Sequence, residues 1–226
     1  MAGGTTTNTS TSSVQAGEIN ELMILFWVSF IVWAVVHSVT AASRTKQVIR
    51  QVMGDRAYEG LYRFLYNLFA IITILPVLYL LLTQVPATPI WIVPAPFSFI
   101  MNGIQLIGLI GLVITLWQTD IWDFAGLRQA WHYLSGDKKP LPPPKLVTNG
   151  LYRFVRHPLY FFSLLVLWFN PVMGLNGLIF TIASTLYFWI GSIYEERKLL
   201  AFFGDAYRDY QQQVPRLIPF VYFRQS

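Results

Sequence analysis

Residues 146–160 read Leu146-Val-Thr-Asn-Gly150-Leu-Tyr152-Arg-Phe-Val-Arg156-His-Pro-Leu-Tyr160, and the apolar run that opens at Leu159 lasts to Ile193. As a single helix that run measures roughly 50 Å, against a bilayer hydrocarbon core of roughly 30 Å, so it must fold back on itself. Asn170, Pro171, Gly174, Asn176 and Gly177 supply the turn. Pro158 suits the first turn of the helix that follows, where no backbone donor is needed. The positive end of that helix then faces the same side as Arg153, Arg156 and His157, which makes an anion-binding corner at a membrane surface.

Composition carries the same message to the whole chain. Hydrophobic residues make up 54% of the 226 residues and charged residues only 12%, about half the share usual in a soluble domain. There is no cysteine, so a disulfide framework, a thiolate metal site and a cysteine nucleophile are excluded. The three histidines lie far apart in sequence, and no metal site is expected.

Working outward from the opening stretch, apolar segments of spanning length run from about 22–41, 61–82 and 97–117. The folded-back run adds spans of about 158–173 and 178–194, the former short. The expected fold is an all-α integral membrane protein, a five-span transmembrane helix bundle with a cytoplasmic cap of short helices and loops. Residues 1–17, rich in Thr, Ser and Gly, read as a disordered tail, with a single membrane domain over 18–226. No basic region precedes the first apolar segment, so it reads as a retained span and not a signal peptide.

All sixteen Lys and Arg residues then fall on one side of the bundle. Arg44, Lys46, Arg50, Arg56 and Arg63 lie between spans one and two; Arg128, Lys138, Lys139, Lys145, Arg153 and Arg156 lie between three and four; Arg197, Lys198, Arg208, Arg216 and Arg224 follow five. The opposite side carries only Glu18 and Glu21. The positive-inside rule places the N-terminus outside and the C-terminus in the cytoplasm. Orientation and contact with anionic lipid account for the net charge of +5, and nucleic acid is not an expected partner. Trp117, Trp122 and Trp131 and the stiff Leu141-Pro-Pro-Pro-Lys145 run suit the membrane interface.

Spacing alone leaves two readings of Arg153, Arg156, His157, Pro158 and Tyr160 open: a snorkelling basic belt, or a site for a carboxylate or phosphate. The hairpin of spans four and five brings Glu195 and Glu196 to the same depth as Arg156 and His157. They either form salt bridges or bind a ligand ammonium beside the anion corner, in which case a zwitterionic amino-acid moiety satisfies both. Tyr207 and Tyr210, three apart, share a helix face with Val214, a pattern more often packing than ligand wall. Gly204 permits a turn before that helix. His37, Ser38, Arg63, Tyr66 and Asn67 cluster near the ends of the first two spans, where hydrogen bonds between helices are the ordinary role.

Leu146-Val147-Thr148, Gly150, Tyr152, Arg156-His157-Pro158-x-Tyr160, Asn170-Pro171, Glu195-Glu196-x-x-Leu199, Phe203-Gly204-x-x-Tyr207-x-x-Tyr210, Val214-Pro215 and Pro219-Phe220 together resemble the integral-membrane methyltransferases related to isoprenylcysteine carboxyl methyltransferase and phosphatidylethanolamine methyltransferase. The resemblance implies S-adenosylmethionine as cofactor, with Glu196 on its ammonium and Glu195 assisting. It puts His157 and the helix start at Pro158 on the carboxylate, with Arg156 in the same segment. It lines the pocket with Gly150, Tyr152, Tyr160, Tyr207 and Tyr210. Phe162 stands where the family often has glycine.

His37-Ser38, Tyr62-Arg63-x-x-Tyr66-Asn67, Gly126-Leu127-Arg128-Gln129 and Trp168-x-x-Pro171-x-Met173 look like the branch that holds bacterial methanethiol S-methyltransferases and NnrU-type membrane proteins. That branch implies a small or hydrophobic thiol acceptor, an active site on the cytoplasmic face of the bacterial inner membrane, and membrane lipids as neighbours. Arg63, Arg128 or Arg156 would lower the thiol pKa, with His37 or His157 accepting the proton. Methylation of a prenylcysteine carboxylate or an aminolipid, and a non-catalytic NnrU-type role, stand as alternatives. Oligomeric state is not legible.

Overall fold

The computed structural model describes residues 7–137 and 142–221, with side chains from residue 17 onward. Lys138, Lys139, Leu141 and Arg224 of the segments discussed above lie outside the described residues. The elements in chain order are α1 (Thr7–Thr40), α2 (Ser43–Met53), α3 (Asp55–Thr83), β1 (Pro89–Ile92), α4 (Phe97–Gln118), α5 (Ile121–Phe124) and α6 (Leu127–Leu134). A 3-10 turn (Gly150–Arg153), α7 (Pro158–Trp168), β2 (Val172–Gly174), α8 (Leu175–Phe203) and α9 (Asp205–Gln213) complete the described chain.

Four of these helices, α1 from Gly17, α3, α4 and α8, are long and apolar enough to cross a membrane. Their surface is inverted relative to a soluble bundle. Val32, Leu75, Leu82, Ile107 and Val113 are exposed, while Thr115, Thr181, Ser184 and Ser192 are buried between helices. Small polar residues inside and branched apolar ones outside are what lipid demands of a packed helix bundle. The chain is an integral membrane protein.

The segment expected as span four departs from expectation. Its helix α7 has 11 residues, about 16 Å at the usual rise, and cannot cross a bilayer alone. Pro171 stops it, since proline has no N–H to continue the ladder. The chain continues as β2, which pairs antiparallel with β1, Ile92 opposite Val172 and Trp91 opposite Met173. The backbone groups freed by the proline are taken up there, with Val93 N–H donating to the Pro171 carbonyl (2.9 Å) and Leu175 N–H to that of Thr88 (2.8 Å). The fold is therefore helical with one short two-stranded ribbon, not purely α. Helix α1 also begins at Thr7, inside the segment read as a tail. Helix α8 runs past the expected end at 194 to Phe203, where Gly204, in the left-handed region at φ 58°, turns the chain into α9.

The ribbon marks one pole of the bundle, and the other helix ends gather at the opposite pole. There α2, α5, α6, the 3-10 turn and α9 form a cap. Asp120 caps α5 through its side chain, accepting from the Trp122 and Asp123 N–H groups. Arg63 holds α5 to α3 by donating to Asp123 Oδ2 at 2.7 Å, Asn67 donates to the Phe124 carbonyl at 3.0 Å, and Arg128 pairs with Asp120 at 2.5 Å.

The closest helix contact joins α4 to α7. A Cβ built on Gly111 would stand 2.3 Å from the Phe162 ring, and one on Gly108 2.8 Å from Val166. Phe162, the residue that departs from the family pattern, therefore fits because Gly111 leaves room for its ring. Gly111→Ala is expected to lose about 1–3 kcal/mol by overpacking. Thermal unfolding in detergent micelles checks this, and Phe162→Ala in the same chain is expected to restore part of the loss.

Candidate active site

The opening stretch lies at the cap pole, where it meets the end of α8 and the returning tail. Arg156 and His157 are both buried, and their environment is built from three directions. From α8, Glu196 faces Arg156 in a forked pair: Nε donates to Oε1 at 2.6 Å and Nη2 to Oε2 at 3.1 Å. From α9, the Gln211 carbonyl accepts from Arg156 Nη1 at 2.8 Å, and the Val214 carbonyl accepts from the same nitrogen. From the segment after α9, the Pro215 and Arg216 carbonyls accept from the Arg156 and His157 backbone N–H groups at 2.9 and 3.1 Å. A planar fork matched to a carboxylate is the strong form of such a contact.

His157 lies between the two glutamates, Nε2 3.3 Å from Glu196 Oε1 and Nδ1 3.5 Å from Glu195 Oε2. Burial lowers an imidazole pKa, but the hydrogen bonds and charge of both carboxylates outweigh it and hold His157 above its ordinary value. Both of its ring nitrogens are engaged by carboxylates. Arg156, His157, Glu195 and Glu196 thus form a quartet in which two basic side chains face two carboxylates.

The two glutamates are not equivalent. Glu196 is 5% exposed and its oxygens are taken by Arg156, His157 and Gln211, whose Nε2 donates to Oε2 at 3.0 Å. Glu195 has a side chain 47% exposed and accepts from Tyr160 OH at 2.9 Å. Adjacent residues on a helix point about 100° apart, which sends one carboxylate into the cap and leaves the other accessible.

The remaining expected residues divide. Tyr160 stacks between His157 (centroids 5.3 Å) and Phe188 (4.8 Å), inside the site. Pro158 is buried and starts α7. Tyr207 and Tyr210 are buried in the cap core with Val214, packed by Tyr152, Leu146 and Leu199. Tyr210 OH donates to the Tyr152 carbonyl at 2.6 Å, whereas Tyr207 OH has no partner among the described residues. Burial, followed by the charge of Glu195, pushes the Tyr152 phenol up to about 12. Gly150 takes φ 58°, and a Cβ there would meet the Gln118 side-chain amide, which itself accepts from Leu151 N–H at 3.1 Å. Its role in the structure is to seat the turn against α4. Arg153 is exposed. Arg63 joins α3 to the cap through Asp123, and Arg128 ties α6 to the start of α5 through Asp120.

His37 belongs to a neighbouring cluster. Its Nε2 lies 2.6 Å from Tyr66 OH, and its ring stacks on Trp33 at 5.2 Å. Tyr187 packs on both Trp33 and His37, at 5.4 and 6.2 Å. Tyr187 also meets Phe188 edge-on at 6.3 Å, and Phe188 stacks on Tyr160, so the two clusters share a boundary. Trp33, Tyr187, Phe188 and Gln211 were not identified from sequence. Trp33 carried a signal, one helical turn before His37, but apolar spans are full of such spacings. Among the described residues no group of His, Asp and Glu has metal-site geometry.

The family model described as "NnrU protein" matches residues 25–187. Methanethiol S-methyltransferase 1 of Bradyrhizobium diazoefficiens is 35% identical over 214 residues, 94% of this chain and 70% of that protein. Methanethiol S-methyltransferase of Mycobacterium tuberculosis is 31% identical over 205 residues, covering 90% and 81%. Protein-S-isoprenylcysteine O-methyltransferase of Tribolium castaneum is 40% identical over 84 residues, but only 34% of this chain and 28% of that protein are covered. No solved structure matches the chain.

Breaking a buried ion pair from one side strands the other charge, at about 3–5 kcal/mol. Arg156→Ala is therefore expected to lower the unfolding temperature far more than Arg153→Ala, measured by the same thermal scan. The sign of the His157 contribution follows from its raised pKa. It is full below the ordinary histidine value of about 6.5 and is lost as pH rises through the higher folded value. The stability advantage of the wild type over His157→Gln should therefore shrink as pH rises above neutrality.

Proposed function

This chain belongs to the NnrU family and is a methyltransferase, and from that premise we propose that it moves a methyl group from S-adenosylmethionine to a small thiol at the cap pole of the bundle. The observation that carries this reading is the accessible carboxylate of Glu195 beside the buried Arg156, His157 and Glu196. A zwitterionic amino-acid group enters such a place without changing its net charge, and desolvation penalises any other combination more heavily.

The residues fit the cofactor as follows. Glu195 accepts from the ammonium, taking it in place of part of its contact with His157. His157 and the N-terminus of α7 then face the carboxylate. Arg156 and Glu196 touch no ligand and act as positioning residues, since their polar atoms are satisfied within the protein. The family resemblance put Glu196 on the ammonium, and the burial of its oxygens favours exchanging the roles. Tyr160 and Phe188 offer aromatic faces, which attract a cation. Tyr207 OH, buried without a partner beneath the quartet, supplies a donor that a ligand would complete. When bound, S-adenosylmethionine supplies an electrophilic methyl on a sulfonium. The protein excludes water around it and aligns the acceptor.

The same reading gives the membrane arrangement. Alpha7, about 16 Å long, and the strand residues 172–174, about 10 Å more, joined by the turn at 169–171, lead from the cap pole to the ribbon pole. With that crossing counted, the chain has five passages, an outward N-terminus and a cytoplasmic cap that carries the basic residues and the site. Methanethiol as acceptor is supported by the relatives that cover most of the chain. The isoprenylcysteine relative supports a lipophilic acceptor, but over only a third of it.

Purified protein incubated with methyl-labelled S-adenosylmethionine and a panel of methanethiol, a prenylcysteine and an aminolipid tests the assignment. Label is expected in dimethyl sulfide with a rate well above that for the other two acceptors. Transfer to the aminolipid or prenylcysteine alone would replace the thiol reading, and no transfer to any acceptor would remove it.

A further inference from the structure

A methyl acceptor that arrives as a neutral thiol must lose its proton, and the quartet offers no base for it. Both His157 nitrogens lie against carboxylates, Glu196 is taken by Arg156, His157 and Gln211, and Arg63 and Arg128 are paired with Asp123 and Asp120. Across the shared boundary lies the His37 cluster. Among the described residues, His37 Nδ1 and Trp33 Nε1 are both buried without a hydrogen-bond partner, on stacked rings one turn apart. Buried polar atoms are nearly always paired, and each left unpaired is costly to stability. Two on one helix face, within a span where water is scarce, point to a ligand that completes them.

Resting on the methyl-transfer reading, we propose that Trp33, His37, Tyr66 and Tyr187 form the acceptor site, with His37 as the base that takes the thiol proton. Helix α1 supplies Trp33 and His37, α3 supplies Tyr66, and α8 supplies Tyr187. Tyr66 OH, 2.6 Å from Nε2, fixes the ring and leaves Nδ1 toward the acceptor. The aromatic side chains around it suit an apolar thiol rather than a charged acceptor. Continuity with the cofactor corner runs through Tyr187 and Phe188 (6.3 Å) to Tyr160 (4.8 Å) and Glu195.

The step balances. The thiol S–H bond breaks and its proton goes to His37. The sulfur lone pair forms the new carbon–sulfur bond as the methyl–sulfonium bond breaks, its electron pair staying on the donor sulfur. One positive charge leaves the sulfonium and one appears on the imidazole, so the dry site never gains net charge.

The test compares two acceptors in detergent-purified full chains: methanethiol, which must be deprotonated, and an electron-poor aryl thiol already ionised at neutral pH. Cofactor affinity of each variant is measured by calorimetry alongside. His37→Gln is expected to bind S-adenosylmethionine as the wild type does and to lose about 100-fold in rate with methanethiol, but only a few-fold with the aryl thiol. Tyr66→Phe is expected to show the same selectivity with a loss of about tenfold. Equal losses on both thiols would make the cluster structural and overturn the proposal, as would no loss on either. A wild type that binds the cofactor but methylates no thiol would instead overturn the reading on which the proposal rests.

Discussion

The forked pair between Arg156 and Glu196 is the contact on which the cap depends. It joins the segment before α7 to the end of α8, and the same guanidinium takes the Gln211 and Val214 carbonyls. One side chain thereby closes three stretches that are distant in sequence. A buried ion pair is not an economical source of stability, because desolvation offsets most of its attraction. Its value here is register. It fixes which turn of α8 faces the α7 start, and so which glutamate is buried and which remains accessible.

From that register the chemistry follows. With Glu196 committed to the scaffold, Glu195 is held, among the described residues, by Tyr160 and His157. Histidine is commonly the residue that trades protons, yet in this protein the two well-placed histidines have opposite characters. His157 lies between two carboxylates that favour its charged form, and His37 sits among aromatic rings with Nδ1 unpartnered among the described residues. A clamp that favours positive charge and a ring without an ionic neighbour, linked through Tyr187, suit a reaction that carries positive charge from one to the other.

Much of this was legible in sequence for physical reasons. The apolar run from Leu159 to Ile193 was too long for one crossing, which forced the hairpin and brought Glu195 and Glu196 to Arg156 and His157. Gly204 announced the turn before α9. Other features were not legible. The ribbon between β1 and β2 pairs residues about eighty apart, and a Pro171-terminated helix gives no local sign of where its chain will find hydrogen bonds. The roles of the two glutamates depend on the rotation of α8, which two adjacent identical residues cannot reveal. Arg63 and Arg128 read as free cations until the fold placed Asp123 and Asp120 beside them. Phe162 read as a departure, and the compensating Gly111 lies on a different helix.

In the proposed arrangement Glu195, and not Glu196, meets the cofactor ammonium, and calorimetric titration of S-adenosylmethionine into wild-type protein and Glu195→Gln distinguishes the two. Binding by the wild type and a loss of at least about tenfold in Glu195→Gln, about 1.4 kcal/mol, with an unchanged unfolding temperature, is the predicted result. Equal affinity of the two proteins, or no binding by the wild type, would contradict it.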